Sequence, residues 1–293
     1  MATVYTHINQ NKRATALIIV FFISFITFIG WVVGEVYYNG GFFLVGIALI
    51  ISGLTSFYSY YNSDKIVLAI SKAQEVSYEA QPELHSLVEN LCIASGLPKP
   101  RIYVIADTAL NAFATGRDPQ HAVICFTTGI LQTLDKRELE GVIAHELSHI
   151  GNYDIRLMSI VSILVGTITL LADLFTRGMM YGGRGRKSEA GGIIVLIGIV
   201  LLILSPIIAV LIKASVSRKR EFLADSSAAL TTRYPQGLAN ALKKLASDAE
   251  VLEAANGATA HMYIVHPLKG QSISKLFDTH PPVQERIQRL ESM

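Results

Sequence analysis

Two long uncharged stretches near the start of the chain dominate its pattern of hydrophobic and polar positions. Ala14 to Val33 form twenty consecutive positions without a charge. At about 1.5 Å per residue, a helix of this length matches a hydrocarbon core about 30 Å thick. A second uncharged stretch, Gly40 to Tyr60, follows a turn at Tyr38 to Gly41. The first stretch is too long for a cleaved signal peptide, so we predict a hairpin of two transmembrane helices over residues 1–61.

Residues 62–155 have dispersed charges and ordinary helix and strand patterns, which predict the first part of a water-exposed domain. We interpret Ser71 to Gly96 as helical, with an amphipathic stretch around Pro82 to Ile93. A later helix has a defined start, because Asp135 followed three residues later by Glu138 resembles a capping box.

Strands are expected between these helices. The stretch Arg101 to Asp107 is rich in β-branched and aromatic residues, which predicts a short buried strand. Asn111 to Gly116 and His121 to Thr127 flank a turn at Gly116 to Pro119, and this arrangement predicts a hairpin. We therefore expect a small antiparallel sheet ahead of the capped helix.

Two further apolar stretches, Leu157 to Ala172 and Gly191 to Ile212, predict a second membrane hairpin over residues 156–213. The second stretch is long enough to span a bilayer. The first has sixteen uncharged residues before Asp173, which leaves open a tilted, short or re-entrant element. Residues 214–293 are again polar and mostly helical in pattern, and they are expected to form the second part of the water-exposed domain.

Basic residues indicate the orientation of the chain in the membrane. Those beside the water-exposed parts are Lys12, Arg13, Lys65, Lys72, Lys213, Arg218, Lys219 and Arg220. The positive-inside rule then places both parts on the cytoplasmic side. The loop of the second hairpin opposes this assignment, because it carries Arg177, Arg184, Arg186 and Lys187.

Composition agrees with a membrane protein, since 51% of the 293 residues are hydrophobic and only 16% are charged. The formal net charge of +2 is too small for a nucleic-acid-binding surface. Neither Cys92 nor Cys125 belongs to a CxxC motif, so we expect two core thiols and no disulfide framework. The apolar stretches carry no ionisable residues in their interiors, which argues against a channel or transporter.

The capped helix carries the sequence His145-Glu-Leu-Ser-His149. Residues four apart lie about 40° apart on one helix face, so the two histidines can bind one cation. Glu146 lies beside this site without being a ligand, and its carboxylate can take a proton from a metal-activated water. This arrangement is typical of H-E-x-x-H metallopeptidases.

Glu221 is the best candidate for the third protein ligand that a catalytic zinc requires. Asp225 follows four residues later on the same helix face, where it can accept a hydrogen bond from a ligand histidine and fix its tautomer. The alternative is an exposed acidic face that balances the basic residues before it. The histidine pair favours the ligand interpretation.

His280 lies in the sequence Thr279-His-Pro-Pro282, ahead of a predicted helix. A loop histidine there can donate a hydrogen bond to the oxyanion of a tetrahedral intermediate. His-Pro-Pro is also a favourable turn before a helix, so spacing leaves both interpretations open.

The motifs NAFATG, HELSH, REFLAD and THPP, interleaved with paired apolar stretches, resemble those of the HtpX-type heat-shock membrane metalloproteases. These are relatives of the CAAX prenyl endopeptidases, and the resemblance covers nearly the whole chain. It implies an α+β fold: a mostly helical, gluzincin-like zinc protease domain with a small antiparallel sheet, joined to about four transmembrane helices.

The resemblance also implies roles for individual residues. His145, His149 and Glu221 would bind one Zn²⁺, and Glu146 would be the general base. The remaining implied roles are Asp225 as the residue that orients a ligand, His280 as an electrophilic helper in catalysis, and Asn111 and Ala112 as sheet-edge residues that pair with an extended substrate strand.

By the same resemblance, the chain would hydrolyse misfolded or damaged membrane proteins as part of a stress response. It would be a multi-pass protein of the bacterial cytoplasmic membrane with its catalytic domain facing the cytoplasm, so its partners would be unfolded or membrane protein substrates and the lipid bilayer. The alternative function is a membrane scaffold or chaperone-like protein with a structural metal. That function requires a fourth protein ligand, for which His280 is the candidate.

Overall fold

The structure is a computed structural model, and it describes residues 4–38, 42–182, 218–248, 250, 252–253, 259–265 and 281–293. Its main elements are α1 (Val4–Tyr38), α2 (Phe42–Tyr61), α3 (Ser63–Ile70), β1 (Gln74–Glu75), α4 (Pro82–Ser95), β2 (Arg101–Ile105), β3 (Ala112–Thr115), β4 (Val123–Thr127), α5 (Thr128–Thr133), α6 (Lys136–Gly151), α7 (Asp154–Gly182), α8 (Arg218–Thr232), α9 (Pro235–Ser247) and α10 (Val283–Glu291).

Helices α1 and α2 form an apolar pair. Each contains a stretch long and apolar enough to cross a membrane, His7–Val32 and Phe42–Tyr61, and these two are the only such stretches in the described residues. The helices approach closely at Gly30, where a Cβ would lie 2.6 Å from the Cβ of Ala48. Large apolar side chains on both helices, including Leu54, are exposed, as lipid-facing surfaces require. The predicted turn between them lies mostly outside the described residues.

The prediction of one helix from Ser71 to Gly96 is wrong. Helix α3 ends at Ile70, and Lys72 has a φ of 52°, a left-handed conformation that cannot continue a right-handed helix. The next residues form β1, which pairs with β2. Helix α4 begins only at Pro82, whose fixed φ suits the first helical turn.

The prediction of an antiparallel sheet is also wrong, because the four-stranded sheet is mixed. Its strand order is β1-β2-β4-β3. Strands β3 and β4 form the predicted antiparallel hairpin, but β4 pairs in parallel with β2. Every residue of β4 is buried, as expected of a central strand that is covered on both faces. After β2, the chain therefore forms β3 at the outer edge of the sheet first, and β4 then fills the position between β2 and β3.

The sheet separates two hydrophobic clusters, with alternate residues of each strand facing opposite sides. Ile124 and Phe126 of β4 face the larger cluster, which also contains residues of α4, α6, α8, α9 and α10. Val123 and Cys125 face the other cluster, with residues of α3 and α7. Cys125 and Cys92 are both buried and free, as the sequence predicted.

Helix α6 begins at the predicted capping box. The Asp135 side chain accepts a hydrogen bond from the backbone N–H of Glu138 at 2.9 Å, and the Glu138 side chain accepts one from the backbone N–H of Asp135, also at 2.9 Å. This reciprocal pair satisfies two backbone donors that a helix N-terminus otherwise leaves without partners. The helix that carries HELSH therefore has a fixed starting point.

Helix α7 contains the first apolar stretch of the predicted second hairpin. Leu157, Val161 and Leu164 are buried against Ile18 and Phe22 of α1. The first half of α7 is thus covered by protein, and it attaches the sheet and α6 to the membrane helix α1. The second predicted stretch, Gly191 to Ile212, lies outside the described residues.

Candidate metal centre

The three predicted ligands lie together between two helices. Helix α6 supplies His145 and His149, and α8 supplies Glu221, although 72 residues separate the last two in sequence. The candidate ligand atoms all lie within 4.8 Å of one another, and all three side chains are buried. The fold therefore brings together a compact two-histidine, one-carboxylate group.

Two carboxylates fix the orientation of the histidine rings. His149 Nδ1 lies 3.0 Å from Asp154 Oδ2, and His145 Nδ1 lies 3.0 Å from Asp225 Oδ1. An ionised carboxylate only accepts hydrogen bonds, so each Nδ1 carries the proton that it donates. The Nε2 atom of each ring is then left with a lone pair for a cation. Asp225 thus lies where the sequence placed it, beside a ligand histidine.

The spacing of the remaining atoms fits a tetrahedral metal ion. The two Nε2 atoms lie 3.2 Å apart, and the Glu221 carboxylate oxygens lie 3.6 Å from His149 Nε2 and 3.8 Å from His145 Nε2. Two nitrogens bound at about 2.0 to 2.1 Å to one tetrahedral zinc lie about 3.3 to 3.4 Å apart. Two lone pairs that face each other repel unless a cation lies between them, so the geometry fits the metal that the motif implies.

The electrostatic field of the site also favours a cation. Burial alone would lower the pKa of His149, but its hydrogen bond to Asp154 and the charges of Glu221 and Glu146 outweigh that effect and raise the pKa to about 9. The same carboxylates stabilise a divalent ion, whose binding requires that the histidine lose its proton. Binding of a metal ion here would therefore displace a proton from His149.

Glu146 lies beside this group and is 2% exposed. Burial raises the pKa of its carboxyl group, and the charge of Glu221 adds to that effect, while the neighbouring side chains of His145, His149 and Arg286 act in the opposite direction. A carboxylate with a raised pKa is better suited to take a proton from water near neutral pH.

Arg286 is a residue of this site that the sequence analysis missed. It is 1% exposed, and it donates from Nε and Nη2 to the two carboxylate oxygens of Asp225, at 2.8 and 2.6 Å. This charge-assisted fork fixes the carboxylate that in turn holds His145. A signal was present in the sequence, because Arg286 lies on the apolar face of α10 between Val283 and Ile287.

Asp154, the first residue of α7, was also missed as a functional residue. It is 2% exposed and holds His149 as Asp225 holds His145. A signal was available here too, since a single acidic residue lies five positions after the second histidine. Each predicted histidine ligand thus has its own carboxylate partner.

The predicted substrate-binding residues lie at the outer edge of the sheet, and the chain itself occupies that edge. The Asn111 Nδ2 donates to the backbone oxygen of Val265 at 3.0 Å, and the backbone N–H of Ile264 donates to the oxygen of Ala112 at 3.1 Å. The oxygen of Ile264 accepts from Arg286 Nη1 at 3.2 Å. The segment 259–265 therefore runs from β3 to the residues around the metal centre. His280 lies outside the described residues.

Sequence comparison with known proteins identifies the family of the chain. Residues 78–293 match the profile of peptidase family M48. The chain is 45% identical to a Protease HtpX homolog of Dictyoglomus turgidum over 99% of this chain and 95% of that protein, and 39% identical to one of Streptococcus uberis over 99% of both. It also aligns with the crystal structure of S. mikatae Ste24p at 19% identity and a TM-score of 0.49, over 90% of this chain and 61% of that one.

The family match covers most of the chain and includes α6, α8 and α10, which carry the histidine pair, Glu221 and Arg286. The relatives extend the match to the apolar helices α1 and α2. The chain therefore belongs to peptidase family M48 and is a membrane metalloprotease of the HtpX type.

Proposed function

We propose that this chain is a zinc endopeptidase that cleaves unfolded segments of membrane proteins at the cytoplasmic face of a bacterial membrane. The observation that carries the proposal is the pair of Nε2 atoms that face each other at 3.2 Å, with Glu221 beside them. Among common divalent ions, a two-histidine, one-carboxylate set suits zinc best. Bound there, zinc would supply the Lewis acidity that lowers the pKa of water and polarises a carbonyl group.

Glu146 is proposed as the general base. Its buried carboxylate lies next in sequence to His145, so it borders the metal centre while His145, His149 and Glu221 supply the ligand atoms. It would take the proton of the attacking water and pass it to the leaving amine, because one group with a tuned pKa can serve as base and then as acid. His280 stays a prediction as the donor to the oxyanion.

Asn111 and Ala112 are proposed to bind the substrate backbone. The segment 259–265 supports this, because its residues Ile264 and Val265 hydrogen-bond to both Ala112 and Asn111 at this edge. A substrate strand would add to the sheet by the same kind of backbone pairing. It would need to displace Ile264 and Val265 from the edge, so opening of this segment is a step in the proposed reaction.

The position of the metal centre supports a substrate that emerges from the bilayer. The helix α7 begins with Asp154, which contacts His149, and continues along α1. The centre is therefore joined directly to the membrane helices. Basic residues beside the predicted spans favour a cytoplasmic orientation. Removal of unfolded membrane proteins under stress would follow from this location.

Substitution of Glu146 tests the assigned base. We expect Glu146→Gln to keep one zinc per chain, since no ligand is changed, and to cleave an unfolded protein such as casein at least about a hundredfold more slowly, in line with the loss of a general base. Glu140→Gln is the matched control, because it makes the same change on α6 outside the site. If Glu146→Gln with zinc bound cleaves casein at the rate of the unsubstituted protein, another group is the base.

The substrate class needs a separate experiment. Reconstituted in liposomes, the protein should cleave a destabilised membrane protein faster than its stable parent of nearly identical sequence. Equal rates for the two forms would mean that unfolding of the substrate does not control cleavage, and the quality-control role would then be wrong even if the zinc chemistry is right.

A further inference from the structure

A buried amide of the first membrane helix contacts the surroundings of the metal centre. Asn11 of α1 is 5% exposed. Its Nδ2 donates to Asp154 Oδ1 at 2.6 Å and to the backbone oxygen of Asn152 at 2.9 Å. Its Oδ1 accepts from Arg220 Nη1 at 3.0 Å. All three partners lie far from Asn11 in sequence.

The orientation of this amide is fixed by its partners. A carboxylate and a backbone carbonyl can only accept hydrogen bonds, and a guanidinium can only donate them. The Asn11 nitrogen must therefore face Asp154 and Asn152, and its oxygen must face Arg220. Neither the reverse orientation nor a carboxylate at this position could form the three bonds together.

The two ends of the amide reach the two halves of the metal centre. Through Asp154, which lies 3.0 Å from His149 Nδ1, the nitrogen end contacts the half that carries α6. Through Arg220, which directly precedes Glu221, the oxygen end contacts the half that carries α8. Asn11 thus bridges two segments that the chain connects only through residues 155–219.

We propose that Asn11 is a positioning residue for the metal centre, so that the first membrane helix is part of the active-site framework. Asn11 holds the Asp154 carboxylate against His149 and holds the start of α8 in register with α6. The proposal rests on the metal site of the proposed function. It adds that the anchor helix sets the relative placement of His149 and Glu221, beyond tethering the protease to the bilayer.

The test compares Asn11→Leu with Thr15→Val in the full-length protein in detergent. Leucine has the branching and the number of side-chain heavy atoms of asparagine but forms none of the three bonds. Thr15 lies one turn further along α1, is 3% exposed, and donates to the backbone oxygen of Asn11 within the same helix, at 2.9 Å. Thr15→Val therefore deletes a buried polar group beside Asn11 without touching Asp154 or Arg220.

The readouts are the zinc dissociation constant, from competition with a chelator, and the visible spectrum of the cobalt-substituted protein. Loss of the direct hydrogen-bond partner of a metal ligand costs about 10- to 100-fold in affinity, and Asn11 acts one step further out, through Asp154, so we expect Asn11→Leu to weaken zinc binding about 10-fold. Its cobalt bands should shift, because ligand geometry changes. Thr15→Val should stay within about twofold of the parent. A purely structural role would lower the melting temperature and leave the cobalt spectrum of the folded protein unchanged.

If folded Asn11→Leu binds zinc as tightly as the unsubstituted protein and has the same cobalt spectrum, the inference is overturned. If that variant does not fold, Arg220→Gln decides, since it leaves α1 intact and weakens the bond to Asn11 Oδ1 from the Glu221 side, together with the direct Arg220–Asp154 ion pair at 3.5 Å. A zinc dissociation constant and a cobalt spectrum in Arg220→Gln that match those of the unsubstituted protein would then overturn the inference. Failure of the unsubstituted protein to bind zinc or cobalt would instead refute the proposed metal site, so the two failures are distinguishable.

Discussion

Arg286 places a full positive charge in the protein interior, where an ion is stable only with a matched partner. Its partner Asp225 is also buried, and burial alone would raise the pKa of that carboxyl group. The guanidinium and His145 reverse this effect and hold the pKa of Asp225 well below its usual range. The carboxylate that orients His145 is therefore charged at neutral pH.

Removal of one member of this pair should be strongly destabilising. We expect Arg286→Met to lower the free energy of unfolding by about 3 to 5 kcal/mol, because it leaves the Asp225 charge buried without its partner. Arg289→Met is the matched control on the same helix. Arg289 pairs with Glu285 at a surface where the two side chains are 51% and 41% exposed, and such pairs contribute about 0 to 1 kcal/mol.

Thermal unfolding of both variants in the same detergent would measure this difference. An unfolding temperature for Arg286→Met that matches that of Arg289→Met would mean that the buried pair contributes no more than the exposed one. Zinc affinity should fall in Arg286→Met as well, since Asp225 would no longer be fixed against His145.

Sequence analysis identified residues that a local spacing or a known ligand requirement indicates. The histidine pair follows from helical spacing, the capping box from three-residue spacing, and Glu221 from the third ligand that a catalytic zinc requires. It missed Asn11, Asp154 and Arg286, whose bonds join segments up to 143 positions apart, because no local pattern encodes such distant pairs. The sequence carried two weaker signals, which were Arg286 on the apolar face of α10 and Asp154 five positions after His149.

At the scale of elements, the lack of a local signal for distant pairs also explains why the sheet was predicted to be antiparallel. The β3–β4 hairpin was predicted because a turn signal joins the two strands. The parallel pairing of β2 with β4 depends on how the chain crosses between them, which no turn signal reports. The short strand β1 was missed for a related reason, since Gln74 and Glu75 are exposed and gain their extended conformation from the edge of β2.

The segment 259–265 occupies the sheet edge that the proposed function assigns to the substrate, so in that proposal it competes with the substrate. Ile264→Pro removes the backbone N–H that donates to Ala112, and one hydrogen bond contributes about 1 kcal/mol. The open form should then be populated about fivefold more, so we expect faster cleavage of a short unfolded peptide at low substrate concentration. Ile264→Val is the control, because it keeps the donor and has a side chain close to proline in size.

Peptidase assays on both variants, at substrate concentrations below KM, would measure this effect. Slower or unchanged cleavage by Ile264→Pro, with zinc still bound, would mean that the segment does not compete with the substrate. Asn111 and Ala112 would then need a role other than pairing with a substrate strand.

At the scale of the whole molecule, aromatic and basic side chains mark one level across three helices. Lys12 of α1 lies 4.4 Å from the ring centroid of Tyr153. Arg156 of α7 lies 4.9 Å from the Tyr153 ring and 5.5 Å from the ring of Tyr60, at the end of α2. Aromatic rings and basic side chains collect at the membrane–water interface, so this level is where we expect the bilayer to begin.

The chain has one tryptophan, which lies far from Lys12 along α1. Its fluorescence can therefore report how deep that part of α1 lies in the bilayer. Trp31 lies nineteen residues after Lys12 on α1, and a helical rise of about 1.5 Å per residue separates them by about 28 Å. This distance is close to the hydrocarbon thickness of about 30 Å. The indole, 46% exposed, should therefore lie near the far interface.

Quenching of tryptophan fluorescence by brominated lipids tests this placement. Bromines near the headgroups should quench Trp31 more strongly than bromines near the bilayer centre. The order should reverse for Val20→Trp in a Trp31→Phe background, because Val20 is 60% exposed and lies near mid-span. Stronger quenching of Trp31 by the deep bromines would move the near interface along α1 away from the protease domain, to about ten residues before Trp31. The metal centre would then lie well outside the headgroups, where a substrate could reach it only after leaving the bilayer.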